Sequence, residues 1–317
     1  MEPLFIALII TAVLILNGIG FYLFSIVFAS YCIYTSTLKR PNKEQWSRSA
    51  PIENENQIKM DEIGSCWNKQ NESYKKNVHI VNGGLNLYGE YFDFDSDKCV
   101  MILSGRTESL RYGYYFAIPY KESGFNVLVI DARAHGESDG VYNTVGFEES
   151  RDALKWVEFL EKEYGIKTVI FHGICIGAST GMLAITSEDC PECVKGIVTE
   201  GMFINFGESM RNHLIERKRL WFPVLQCIDF WMKLFTHHSM TKGPIDKIGK
   251  LKKPLLMLQS KEDKYSTPHN AQKLYDTCNA QEKEIVWFDK GAHSMLRITD
   301  TAKYDNSIKT YISKYFV

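Results

Sequence analysis

The chain has 317 residues, 45% of them hydrophobic, enough to bury one large core with an appendage. Its 37 basic and 38 acidic residues leave a formal charge of -1, which argues against a nucleic-acid surface. A mean hydropathy of -0.21 argues against a polytopic membrane protein.

Residues 3–34 carry no charged side chain and are mostly Leu, Ile, Val, Phe and Ala. About 20 such residues span a hydrocarbon core, so the stretch predicts a transmembrane helix over 1–34 that tethers the chain to a lipid bilayer. A cleaved secretory signal would open on a basic segment, whereas this chain opens Met1-Glu2-Pro3. Ala29 and Ser30 leave cleavage as the alternative. Lys39, Arg40 and Lys43 follow the apolar run and nothing basic precedes it, so the positive-inside rule predicts a single-pass cell-membrane protein with its C-terminal domain in the cytoplasm. The eight cysteines lack the spacing of a secreted disulfide framework, which fits a reducing compartment.

Residues 35–76 are rich in Asn, Glu, Lys and Ser and read as a polar tether. The folded part is expected over 77–317. It opens with strands over 77–81 and 85–94 around Asn82-Gly83-Gly84, a hairpin signal. Apolar runs at 99–103, 125–130, 168–171, 196–198, 254–258 and 284–288 read as further strands. Between them lie amphipathic stretches such as 146–164, with Leu154, Val157, Phe159 and Leu160 on one side. Strands alternating with helices predict an α/β class with a mostly parallel sheet covered on both faces.

The chemistry concentrates after Phe171. Gly173-Ile174-Cys175-Ile176-Gly177 follows an apolar strand and precedes a predicted helix over 178–187, which is the context of a nucleophile elbow, G-x-Nu-x-G. Side chains at the two glycines would meet the neighbouring strand and helix, so Gly173 and Gly177 are expected to be required. Three more segments follow the same pattern in order. Leu103-Ser104-Gly105-Arg106 stands after a strand, Ser260-Lys261-Glu262-Asp263 offers an acid, and Gly291-Ala292-His293 offers a base. With Asp131-Ala132-Arg133-Ala134-His135-Gly136-Glu137-Ser138, these motifs resemble the α/β-hydrolase superfamily over about 78–317. The likeness is greatest to lysophospholipase- and acyl-peptidase-like bacterial members with small caps.

The resemblance implies an α/β-hydrolase fold in which Cys175 is the nucleophile, His293 the base and Asp263 the orienting acid. It implies an oxyanion hole made by the backbone N–H groups of Ile176 and Arg106. Cysteine at the nucleophile position is similar to dienelactone hydrolases and bile-acid acyltransferases. Ser104 stands where the family usually has histidine, which leaves the shape of the oxyanion loop open. Competing assignments are Glu262 or Asp131 for the acid and His135, His172 or His269 for the base. Asp131 and His135 are expected to brace their own turn, and His172 to be structural or to line the pocket.

The segment 205–253 is too long for a loop and is expected to form a helical cap. Its aromatic residues, including Phe206, Trp221 and Trp231, either glue the cap down or line an apolar acyl pocket. Arg211, Arg217, Lys218 and Arg219 read as a solvated face or as contacts to lipid headgroups or an anionic substrate. Cys190-Pro191-Glu192-Cys193 has no second pair that would complete a zinc site and reads as a loop with two thiols. No cofactor and no metal are expected. The expected activity is hydrolysis of an ester or thioester with an apolar acyl group, a small-molecule substrate, through a thioester acyl-enzyme. Acyl transfer through the same intermediate and non-catalytic binding are the alternatives.

Overall fold

In a computed structural model, residues 2–52 and 54–316 are described. The first element, α1 (Glu2–Leu38), has 37 residues, about 55 Å of helix at 1.5 Å per residue. It is long and apolar enough to cross a membrane. Its first buried side chains, Ile26, Ser30, Tyr34 and Leu38, come at intervals of four and so form one ridge.

The expected polar tether over 35–76 is corrected by the structure. Helix α1 continues to Leu38, and a second helix, α2 (Glu55–Gln70), lies against the domain. Asn54 caps it by accepting the Asn56 and Gln57 N–H groups. The helix buries Met60, Gly64 and Trp67, a narrow stripe in a polar sequence. A side chain at Gly64 would sit 2.9 Å from the Tyr115 nitrogen, so the glycine sets the helix–helix distance. Between the two helices Arg40 is buried and donates to the Gly136 and Ser138 carbonyls, tying the segment to the domain.

The sheet begins with β1 (Lys75–Asn82) and β2 (Leu85–Phe92), an antiparallel hairpin whose two turn residues, Gly83 and Gly84, both have positive φ. Then come β3 (Lys98–Leu103), α3 (Gly113–Glu122), β4 (Asn126–Ile130) and α4 (Phe147–Tyr164). The central elements are β5 (Thr168–Ile174), α5 (Ile176–Ile185) and β6 (Val194–Glu200). Two cap helices follow, α6 (Phe206–Glu216) and α7 (Val224–Thr236). The chain closes with β7 (Leu255–Ser260), α8 (Pro268–Thr277), β8 (Lys283–Phe288), the short α9 (Leu296–Thr299) and α10 (Thr301–Tyr315).

The eight strands form one sheet in the order β1-β2-β4-β3-β5-β6-β7-β8, parallel from β4 onward. Alternation along the strands builds two cores. Cys99, Met101 and Leu103 of β3 pack towards α4 and α5, while Val100 and Ile102 pack towards α2, α3 and α10. A third apolar cluster lies between α1 and the cap and reaches Cys175. Parallel order places the ends of β3, β5, β6, β7 and β8 on one edge, where ligands bind in open α/β sheets.

Candidate active site

Cys175 sits between the end of β5 and the start of α5 at φ 53°, ψ -111°. A non-glycine residue in that region is strained by about 1–3 kcal/mol, and such strain persists only where the surroundings over-determine it. Here they do. A Cβ on Gly177 would fall 1.8 Å from the Leu103 carbonyl oxygen, and one on Gly173 would fall 2.4 Å from the Ala178 nitrogen. The Cys175 N–H is further held by the Glu200 carbonyl at 2.9 Å. The turn leaves the thiol half-buried, packed against both the second and the third apolar clusters.

His293 and Asp263 come from the loops after β8 and β7. His293 Nδ1 lies 2.8 Å from Asp263 Oδ2. The other carboxylate oxygen accepts the Tyr265 and Ser266 N–H groups at 2.8 and 2.9 Å, which fixes its direction. Burial alone would push the imidazole down, but the Cys175 sulfur and then the Asp263 carboxylate outweigh it. The imidazole also hydrogen-bonds the Asp263 carboxylate and is held well above its ordinary value. The structure therefore brings Cys175, His293 and Asp263 together.

The rival residues are elsewhere. Glu262 is exposed and accepts the Gly291 N–H at 3.2 Å. Asp131 accepts the Leu110 and Glu137 N–H groups and pairs with Arg48 at 2.8 Å, bracing its turn. His135 bonds the Arg133 carbonyl and stacks on Trp46, 4.8 Å between centroids. His172 is buried against Tyr304, and burial lowers its pKa to about 3. His269 lies in the first turn of α8. Ile176 opens α5, where helix N–H groups have no intrahelical partner. The Arg106 N–H has no acceptor among the described residues. With serine in place of histidine at 104, the loop is shaped by Glu108, whose carboxylate accepts the Gly105 N–H at 2.9 Å. Burial raises that carboxyl to about 7.

Several neighbours carry no local sequence signal. Gly201, at φ +59°, lies so close that a Cβ would meet His293 Cε1 at 3.0 Å. His213 of the cap stacks on Tyr265 at 3.6 Å, and Tyr265 sits edge-on to His293 at 5.6 Å. The C-terminal third of α1 forms part of the wall. Trp231 of α7 donates to Ser30 Oγ at 3.1 Å, and Tyr34 is 0% exposed in the cluster that Cys175 touches.

No family model matches the chain. It is 28% identical over 252 residues to the uncharacterised protein YqkD of Bacillus subtilis, covering 76% of this chain and 80% of the relative. It is 23% identical over 233 residues to the uncharacterised membrane protein YNL320W of Saccharomyces cerevisiae, covering 72% and 76%. Among solved structures, Pyrococcus furiosus esterase Pf2001 superposes with a TM-score of 0.65 at 22% identity, covering 79% of this chain and 96% of the esterase. The sheet order, the strained turn after β5 and this superposition agree: the chain has the α/β-hydrolase fold.

Proposed function

We propose that the protein is a membrane-anchored hydrolase of esters or thioesters with an apolar acyl group, acting through Cys175, His293 and Asp263 without a cofactor. One observation carries the reading: a His293 imidazole that bonds the buried Asp263 carboxylate and feels the charge of the Cys175 sulfur at the elbow. Solved esterases and hydrolases of the same fold support the reaction class.

The thiol proton moves to His293 Nε2, and Asp263 stabilises the resulting imidazolium. The thiolate attacks the acyl carbonyl, forming an S–C bond while the carbonyl electron pair becomes an oxyanion. The Ile176 and Arg106 N–H groups receive that charge, each donor contributing about 3 kcal/mol. Collapse expels the alcohol or thiol, which takes the proton from His293. Water, deprotonated by His293, then cleaves the thioester and restores the thiol.

Acyl transfer to an amine or alcohol is the second reading, favoured by the apolar cluster that screens one side of Cys175 from water. Adding hydroxylamine separates the two. Preferential partitioning to the hydroxamate supports transfer, whereas unchanged acid release supports hydrolysis. If no activated acyl ester labels Cys175, the chain is a tethered binding protein instead. For topology, Lys39 and Lys43 favour a cytoplasmic domain, while Arg40 is occupied inside the fold. Protease digestion of the domain on intact cells would contradict that orientation.

A further inference from the structure

Between the Arg106 loop, the cap and α1 lies a cavity of about 80 Å³ that the hydrolysis reading does not use. Arg106, His213, Arg217 and Arg219 line it, facing Ile33 and Thr37 of α1. None of the three arginines has a carboxylate partner among the described residues. The acidic side chains nearby are engaged elsewhere: Glu108 with the Gly105 N–H, Glu208 with Arg211 and Glu216 with Lys264. Burial and then Arg217 work against the charge on the half-buried Arg106 guanidinium, while the Cys175 sulfur works for it. Burial, Arg106 and His293 lower His213 to about 3, so it faces the cavity as a neutral ring. Arg217 and Arg219 are exposed at the cavity mouth, where solvent screens their repulsion, and an anion with several oxygens would gain charge-assisted hydrogen bonds from them and from the half-buried Arg106.

The position of the cavity says which anion. The exposed apolar side chains of α1 run as far as Phe28. Ile33 and Thr37 stand about 8–14 Å further along the helix, which is headgroup depth for a bilayer whose polar layers add several ångströms to each side. On the same stretch of α1, α7 leaves Phe230 and Leu234 exposed, an apolar edge facing the same level. We propose that Arg106, His213, Arg217 and Arg219, with Ile33 and Thr37, form a binding subsite for the phosphate-bearing headgroup of a bilayer-resident acyl ester, which makes α1 a wall of the site as well as its anchor. This rests on Cys175 being the acyl-accepting group. Entry is lateral, with the acyl chain lying against the α1–α7 cluster and the headgroup among the arginines.

The test reads occupancy rather than turnover, so its failure is distinct from failure of the hydrolase reading. The full chain is placed in vesicles of a neutral diether glycolipid, which carries no phosphate, with or without one part in five of diether phosphatidic acid, whose ether chains cannot be hydrolysed. Alkylation of Cys175 by iodoacetamide is followed by peptide mass. The acidic lipid should slow it about tenfold, the worth of one charge-assisted hydrogen bond. R217Q/R219Q should abolish the protection, and R217K/R219K should keep most of it. Equal rates in both vesicles, or full protection in R217Q/R219Q, overturns the proposal. Protection by inorganic phosphate as strong as by the lipid overturns the bilayer source.

Discussion

The rear and the front of the site are built by different means. At the rear, the elbow, Asp263 and His293 are fixed by backbone: a positive φ at Cys175, a carbonyl 1.8 Å from where a Gly177 Cβ would fall, and N–H groups aimed at Asp263. At the front, α1 and the cap meet through side chains, with Trp231 on Ser30 and Phe235 stacked on Tyr34 at 5.7 Å. A backbone-built region tolerates almost no substitution. A side-chain-built region tolerates many, each at modest loss.

This contrast can be broken most sharply at the rear. Asp263→Asn should reduce turnover on an activated ester by roughly 1,000- to 10,000-fold with the fold intact, because the imidazole loses its partner and tautomer. Stopped-flow or endpoint assays at saturating ester measure this, and adding the change to His293→Ala should cost little more. A full multiplicative loss in the double variant means that the two residues do not act as a unit. Gly177→Ala should destabilise the protein by about 4 kcal/mol or more, since the clash is with backbone and cannot relax by a side-chain rotation. Denaturant midpoints in detergent micelles check it; a change under about 1 kcal/mol refutes the over-determined elbow.

What the sequence disclosed divides along the same line. The elbow was legible because its glycine spacing is local and its flanking strand and helix are strongly patterned. In the sequence, resemblance alone favours Asp263 over Glu262; the structure separates them because Glu262 accepts the Gly291 N–H while Asp263 bonds His293. Helix α2 was not legible. Only Met60, Gly64 and Trp67 are buried along it, and its polar composition reads as a tether. Gly201 and the α1 wall escaped for another reason: their neighbours are remote in sequence, and no short-range pattern marks such a contact.

Smaller effects sharpen the contrast. Trp67→Ala should remove about 3 kcal/mol, the usual loss for a buried large side chain, and should leave Cys175 reactivity unchanged. Loss of Cys175 alkylation in that variant would mean that α2 supports the site directly. His172, lowered to about 3 by burial and then by Arg297, binds fewer protons folded than unfolded. Its contribution to stability is therefore present above the unfolded value near 6.5 and lost as pH falls towards the folded one. His172→Phe should flatten the decline between those limits by about 1.4 kcal/mol per pH unit. An unchanged slope would show that His172 is not the buried neutral group. Trp231→Phe removes one hydrogen bond to α1 and should cost about 1 kcal/mol, seen as faster proteolysis between α7 and β7 with turnover retained.

The central claim is that Cys175 carries the acyl group. Intact-mass spectrometry of the full chain, mixed with an activated medium-chain acyl ester and quenched in acid, tests it directly. One acyl adduct is expected, mapped to Cys175, removed by hydroxylamine and absent from Cys175→Ala, which should also no longer turn the ester over. An adduct on another residue, or turnover by Cys175→Ala equal to that of the unaltered protein, would contradict it.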